Sequence, residues 1–403
     1  FAQNSDVIVR AQGGNNAGHT INFNGKKFAL RSIPSGVFNT KAISIMANGM
    51  VIDPKQFLEE LDMLNANGIT NINLKISNRA HIVMPYHKDL DEAYEKLKDN
   101  PVGTTKKGIG PAYADKANRI GIRMGEFINP EIFKESLKNT LKIKNFELRN
   151  LGYKEYDLDT LFDEYKEYAK RIKPFVTDTS LLINDEYDKG KKILFEGAQG
   201  AMLCLDHGTY PYVTSSSPTA SAIPLNAGIS PLYIDNIIGV CKAYSTRVGD
   251  GAFPTELNNE TGNLIREKGH EYGTVTKRPR RVGYLDLVAL NYAVRVSGIN
   301  YLAVMLLDVL SGFDTLKVCK AYELDGKIIN TIPSTINEFE RCIPIYEELE
   351  GFNEDISKIK NYDNLPLNAK KYIEKIEEIT ETKVALISVG PDRSQTIERI
   401  KLI

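Results

Sequence analysis

The chain is 403 residues long and 42% hydrophobic, enough to bury a large core within one elaborated domain. Its 51 Lys and Arg nearly cancel its 52 Asp and Glu, which excludes a chain-wide field for nucleic acid or a membrane surface. Cys204, Cys241, Cys319 and Cys342 show no C-x-x-C spacing and read as reduced, mostly buried thiols rather than a zinc site, and no apolar run approaches the ~20 residues needed to cross a bilayer.

From the start, SDVIVR (5–10) reads as a short strand. FAQNSDVIVR (1–10) has neither the basic start nor the apolar core of a signal peptide, so a cytoplasmic chain is expected. The strand runs into AQGGNNAGHT (11–20), whose glycines let backbone N–H groups approach an anion closely. Asn16 can donate to a phosphate, and His19 can donate a proton or a hydrogen bond to charge developing on a phosphoryl oxygen. A tight turn with a surface histidine accounts for the same residues. PKQFLEELDMLNANGI (54–69) has helical apolar spacing and stops at Gly68. In GTTKKGIGPAY (103–113), Thr104 and Thr105 can hold phosphate oxygens while Lys106 and Lys107 supply charge, with Arg119 on a basic stretch soon after. A solvated loop before a charged helix is the plain alternative.

The stretches 129–152 and 157–175 are amphipathic charged helices, and about 126–190 reads as a peripheral helical subdomain. KKILFEGAQG (191–200) reads as a buried strand closing in a glycine turn. Polar residues are densest just beyond, with Glu196, Gln199, Asp206, His207, Thr209, Thr214, Ser215 and Ser216 close together. Gln199 both donates and accepts, which suits an amide-like purine edge. His207 reads as a structural histidine, and VTSSS as either a phosphate holder or a Ser/Thr turn.

The stretch 234–251 reads as a turn or helix feeding a strand and a loop. In GTVTKRPRRVGYLD (273–286), Lys277, Arg278, Arg280 and Arg281 put four cations in five residues. That is either a solvated or nucleic-acid face or, beside Thr274, Thr276 and Gly283, a loop for a dianionic amino acid. YLAVMLLDVL (301–310) and KVALISVGPD (383–392) are strand-then-loop units. Asp308 can accept two N–H bonds from a guanine edge or cap a helix, and Ser388, Val389 and Gly390 can offer backbone groups to a flat base.

The alternation predicts an α/β fold: a large, mostly parallel central sheet flanked by helices, with helical subdomain insertions, in a single domain over 1–403. Ligands then gather outside the carboxyl ends of the strands. A nicotinamide-dependent dehydrogenase fits poorly, because no G-x-G-x-x-G joins a strand to a helix with an acid about 20 residues on.

In order along the chain, GGNNAGHT, IPSG, GTTKKGIGPAY, EGAQG, DHGTYPYVTSS, KAYSTRVGDGAFPTEL, GYLD, LDVL and GPDR resemble the adenylosuccinate synthetase family over nearly the whole length. The resemblance implies a P-loop-NTPase-like fold and a homodimer with one Mg2+ per subunit. It implies that IMP and L-aspartate are joined at the expense of GTP, through a 6-phosphoryl-IMP intermediate, giving adenylosuccinate, GDP and phosphate. That reaction is the first committed step from IMP to AMP. A nucleotide-binding protein of the same fold without catalysis is the competing reading.

Carried over residue by residue, the resemblance makes His19 and Gln199 the catalytic side chains. His19 would assist transfer of the GTP γ-phosphoryl group to the IMP 6-oxygen, and Gln199 would read the hypoxanthine ring. Asn16, Ala17, Gly18, His19, Thr105, Gln199, Thr214 and Arg278 would bind IMP, with Arg119 supplied by the partner subunit. Gly18, His19, Thr20, Arg280, Leu306, Leu307, Asp308, Ser388, Val389 and Gly390 would bind GTP. Thr274, Val275, Thr276, Lys277, Arg278, Pro279 and Arg280 would recognise aspartate, and the carbonyl of Gly18 would bind Mg2+. Nucleic-acid and membrane partners are not expected.

The sequence departs from the family pattern at identifiable places. Asn15 stands where histidine is usual, Pro279 interrupts the arginine run, SSSPTASA replaces an asparagine- and glycine-containing continuation, and Leu306 replaces a lysine. The family also opens with a strand and a GDEGKGK-type loop that the 403 residues do not contain, and the expectation is that this segment precedes Phe1.

Overall fold

The strand Val7–Arg10 is apolar at consecutive rather than alternate positions, and all four residues are buried, as an inner strand of a parallel sheet requires. It lies between Ile43–Met46 and Ile193–Glu196. Leu74–Ser77 and Val176–Thr177 complete a five-stranded sheet in which every pairing is parallel. The structure is a computed structural model describing residues 1–99, 101–273 and 279–402. Two compact units divide the chain: Phe1–Asp206 with Val213–Tyr233, and His207–Tyr212 with Ile234–Ile403.

In the first unit, the helix Pro54–Ala66 forms where the apolar spacing places it. Asp53 accepts hydrogen bonds from the N–H groups of Lys55 and Gln56, and Pro54 occupies the first turn, where no intrahelical donor is needed. Gly68, with φ +86°, follows the end. The helices Met124–Phe127, Pro130–Asn150, Leu158–Ile172 and Thr179–Asp188 occupy the segment read as helical. Phe133, Leu137, Leu141 and Leu148 form one apolar stripe, and Leu161, Tyr165, Ala169 and Ile172 form another in the same core cluster. Each buried Leu, Ile or Phe of these stripes contributes roughly 1.5–3 kcal/mol.

One element went unread in the sequence. His19–Phe23 and Lys26–Leu30 pair as an antiparallel hairpin. Asn24 and Gly25 both carry positive φ, 49° and 73°, as a two-residue primed turn demands. His19 therefore opens a strand rather than ending a loop.

The second unit holds a four-stranded sheet ordered Ile238–Lys242, Tyr301–Met305, Lys383–Ser388, Thr396–Glu398, parallel except for the last pairing. A second sheet pairs Thr315–Leu324 antiparallel with Ile343–Glu350 and with Lys327–Ile329. The helices Leu287–Ser297 and Leu367–Thr380 bury their apolar faces in this unit's core. The expected α/β class, a mostly parallel central sheet flanked by helices, is borne out, with most of the parallel pairings in one sheet of five strands and one of four. All four cysteines are free thiols. Among the described residues, no helix is long and apolar enough to cross a membrane.

Candidate active site

Arg10 and Glu196 close two neighbouring parallel strands side by side. The Arg10 side chain is fully buried and donates to the carbonyls of Arg31 and Gly14, which draws the glycine loop back over the sheet end. Gly14 must be glycine here, because a Cβ would come within 2.7 Å of both the Val51 carbonyl oxygen and Ile109. The Tyr113 hydroxyl accepts from the Gly13 N–H at 3.0 Å and donates to the Gly49 carbonyl at 2.7 Å. The loop is thus fixed from below, while Gly18 is exposed and faces open space.

His19 Nδ1 lies 2.8 Å from Glu196 Oε1. Glu196 Oε2 accepts from the Ser35 N–H at 2.7 Å and from the Ser35 hydroxyl at 2.6 Å. Burial disfavours this carboxylate, yet the bonds from His19 and Ser35 hold its pKa below the ordinary glutamate value. An ionised Glu196 fixes a proton on Nδ1, so the imidazole nitrogen left for a substrate is Nε2.

Beside this pair, Gln199 sits at φ +62° and donates to Asn16 Oδ1 at 3.4 Å. Buried Gln12 donates to the Ala198 carbonyl at 2.6 Å and to Gln199 Oε1 at 3.3 Å, and it accepts from Ser216 Oγ at 3.0 Å. The Gln199 amide is therefore oriented by its neighbours. Thr214 lies in the same unit, with its N–H on the Leu203 carbonyl.

The loop 103–107 differs in detail from its reading. The Thr104 hydroxyl is engaged by Asp91 at 2.8 Å, and the Gly103 and Thr104 N–H groups by Glu95. Lys106 lies 3.4 Å from Glu92. These contacts fasten the loop to the helix Pro85–Leu97 and leave Thr105 exposed. Among the described residues, no hydrogen bond joins Thr105 to Asn16, Gln199 or Thr214. Arg119 caps the helix Ile109–Asn118 in a left-handed conformation and is exposed. Asn15 donates to Asp53, which also bridges Lys88 at 2.7 Å, so this departure from the family pattern makes an internal tie.

In the second unit, the strands Tyr301–Met305 and Lys383–Ser388 are parallel neighbours, and Leu306–Asp308 and Ser388–Gly390 emerge from their adjacent carboxyl ends. Leu306 takes φ +61°, an unusual conformation for a branched side chain. Its N–H points to Ser388 Oγ at 3.5 Å, and that hydroxyl donates to the Gly390 carbonyl at 2.9 Å. Asp308 Oδ1 is buried without a hydrogen-bond partner, and burial raises the Asp308 pKa above the ordinary aspartate value. A carboxylate oxygen left so has capacity for a further N–H donor. Arg280 donates to Glu271 at 2.9 Å, and its Nε is likewise buried without a partner. Pro279 bridges Tyr272, whereas Thr274, Val275, Thr276, Lys277 and Arg278 lie outside the described residues.

Enzymes that handle nucleotides on α/β sheets keep their polar groups at the carboxyl ends of parallel strands, and the chain is of that class. The adenylosuccinate synthetase family model matches residues 1–397, and the chain belongs to that family. The adenylosuccinate synthetase of Limosilactobacillus fermentum is 54% identical over 399 residues, covering 98% of this chain and 93% of that protein. The Listeria innocua protein is 52% identical over 398 residues, with the same shares covered. The solved structure of fully ligated adenylosuccinate synthetase from Plasmodium falciparum matches with a TM-score of 0.92 at 40% identity, over 99% of this chain and 95% of that one. The cyanophage S-2L succinoaminodeoxyadenylate synthetase matches at TM-score 0.61 and 18% identity, over 98% of this chain and 88% of that one, and shares the fold. The chain is accordingly a ligase that joins IMP to L-aspartate with GTP as co-substrate in purine nucleotide biosynthesis.

Glu196, Ser35 and Gln12 were not assigned roles from sequence. Glu196 carried one signal, as an acid at the end of a strand just before a glycine turn. Its tie to Ser35 spans 161 residues and no local pattern announces it.

Proposed function

We propose that the ligation runs in two steps on the purine six-position. The IMP 6-oxygen first attacks the γ-phosphorus of GTP. The new O–P bond forms, the β–γ bridging bond breaks toward GDP, and the purine N1 proton is lost, giving 6-phosphoryl-IMP. The aspartate amine then adds at C6, the C6–O bond breaks, and phosphate leaves with that oxygen while the amine gives up a proton. A poor leaving group becomes a good one, and positioning with charge neutralisation supplies most of the rate.

One observation carries this reading: His19 is held through Nδ1 by Glu196, beside an oriented Asn16–Gln199 pair. His19 Nε2 would donate to the transferring phosphoryl group, and Gln199 would hold the hypoxanthine ring. IMP would be bound by Asn16, Ala17, Gly18, Thr105, Thr214 and Arg278, and by Arg119 from a second copy in a homodimer, for which the exposure of Arg119 is favourable. GTP would lie along Gly18, His19 and Thr20, with its base at Leu306–Asp308 and Ser388–Gly390, where Asp308 Oδ1 lacks a partner. Aspartate would meet residues 274–280. One Mg2+ per subunit would take as a ligand the carbonyl of Gly18, a residue that is exposed. When bound, Mg2+ would neutralise charge on the GTP phosphates. We place the enzyme in the cytoplasm.

The test is positional isotope exchange in GTP labelled at the β–γ bridging oxygen, with IMP present and aspartate absent. Scrambling of the label is expected. Its absence in an enzyme that makes adenylosuccinate would overturn the stepwise order.

A further inference from the structure

Glu271 is buried, at 1% exposure, just ahead of the 274–278 stretch. Its Oε1 takes Lys242 Nζ at 2.5 Å and the Tyr244 hydroxyl at 2.6 Å, and its Oε2 takes an Arg280 guanidinium nitrogen at 2.9 Å. The Glu271 carbonyl accepts the Arg280 N–H at 2.8 Å, and the Arg280 carbonyl accepts from Arg266 Nε at 2.9 Å. Arg280 is therefore pinned on both sides of its main chain and at one tip of its fork.

The charges in this cluster do not cancel. Two cations, Lys242 and Arg280, share one carboxylate, and burial works against the Lys242 charge while Glu271 sustains it. Arg280 Nε is buried with no hydrogen-bond partner. A half-buried cluster around a buried carboxylate, with surplus positive charge and an unused buried N–H, is incomplete. An oxygen of a carboxylate or a phosphate completes it, since a guanidinium offers such groups two parallel bonds.

We propose that Glu271, braced by Lys242 and Tyr244, is a positioning residue that aims Arg280 at an anionic substrate oxygen. The proposal rests on the reading of Arg280 as a GTP- and aspartate-binding residue. The Lys242 and Tyr244 bonds fix one carboxylate oxygen and so fix the direction of the other. A glutamine there has one acceptor oxygen for three donors, and its amide would face a cation.

The test compares KM for GTP, aspartate and IMP, together with kcat, in R280L, E271Q and the double variant. R280L is expected to raise KM for the anion it binds, and whether GTP or aspartate responds identifies a phosphate or a carboxylate. E271Q is expected to raise that same KM about tenfold, with kcat within about threefold, and to add nothing in the R280L background. A KM raised by R280L but unchanged by E271Q overturns the proposal and leaves the Arg280 reading standing. Unchanged KM values in R280L overturn that reading, and the proposal with it. Effects of E271Q on kcat and every KM alike, additive with R280L, mean a structural role and also overturn it. Should E271Q fail to fold by thermal melt, Y244F keeps the charge and removes one brace. It is expected to raise the same KM about two- to threefold, and no change overturns the proposal.

Discussion

Replacing Glu196 by glutamine keeps the shape of the side chain and removes its charge. The carboxylate accepts three hydrogen bonds, from His19 Nδ1 at 2.8 Å and from the Ser35 N–H and hydroxyl at 2.7 and 2.6 Å. Glutamine has a single acceptor oxygen. The two Ser35 donors share one oxygen of Glu196, so keeping them turns the new amide N–H toward His19 Nδ1. The imidazole then accepts there, and the charge-assisted bond from Nδ1 to the carboxylate is lost. A hydrogen bond involving a charged group contributes about 1.5–3 kcal/mol. Felt fully in the transition state, that loss slows turnover roughly 10- to 150-fold. Ultraviolet detection of adenylosuccinate, with each substrate varied in turn, gives kcat and KM, and KM values should stay within about threefold. H19N alone should cost roughly 10²–10³ in turnover, as for a lost oxyanion donor. E196Q should add almost nothing to it, because Glu196 acts through His19. Turnover of E196Q within twofold of the parent, or losses that simply multiply in the double variant, would refute the reasoning.

Other outcomes follow from the same geometry. Asp308→Asn should raise the KM for GTP roughly 10- to 150-fold and narrow its advantage over inosine triphosphate, since one acceptor facing two guanine N–H donors is lost; steady-state kinetics with both nucleotides checks this. Burial pushes the Asp286 carboxyl up to about 6 from an ordinary 3.8, although Tyr322 and the cap bond to Ala289 pull it down. The folded state therefore holds this proton more tightly than the unfolded state, and stability falls as pH rises between those two values. The loss is at most about 3 kcal/mol, at ~1.4 kcal/mol per unit. Asn can keep the cap at 286, so the melting temperature of D286N relative to the parent should rise by several degrees between pH 4.5 and 7.5, and a flat difference would contradict the burial argument. Chelation of divalent ions should abolish adenylosuccinate formation, and added Mg2+ should restore it; full activity in chelator would remove the metal from the account.

Much of the fold was legible because strand-then-loop units such as 301–310 and 383–392 advertise themselves by an apolar run ending in a polar turn. The hairpin at residues 19–30 was not read from the sequence, although Asn24–Gly25 is a strong local turn signal. His19, Gln199, Asn16 and Asp308 stood out as polar residues at strand ends, and the structure puts the first three at one end of one sheet. The residues that hold them were not readable. Glu196 reaches a histidine 177 positions away, and Gln12 reaches an amide 187 away. Such pairs exist only once parallel strands have brought distant loops to a common edge. Thr104 suited either a phosphate or a solvated loop, and its hydroxyl is bonded to Asp91; composition cannot distinguish a hydroxyl turned to a ligand from one tied to the preceding helix.

The most direct test of the mechanism follows the 6-oxygen itself. With IMP labelled by oxygen-18 at that position, the released phosphate should carry one labelled oxygen for each adenylosuccinate formed. Unlabelled phosphate, with the heavy oxygen recovered in water, would mean that the purine oxygen was never phosphorylated.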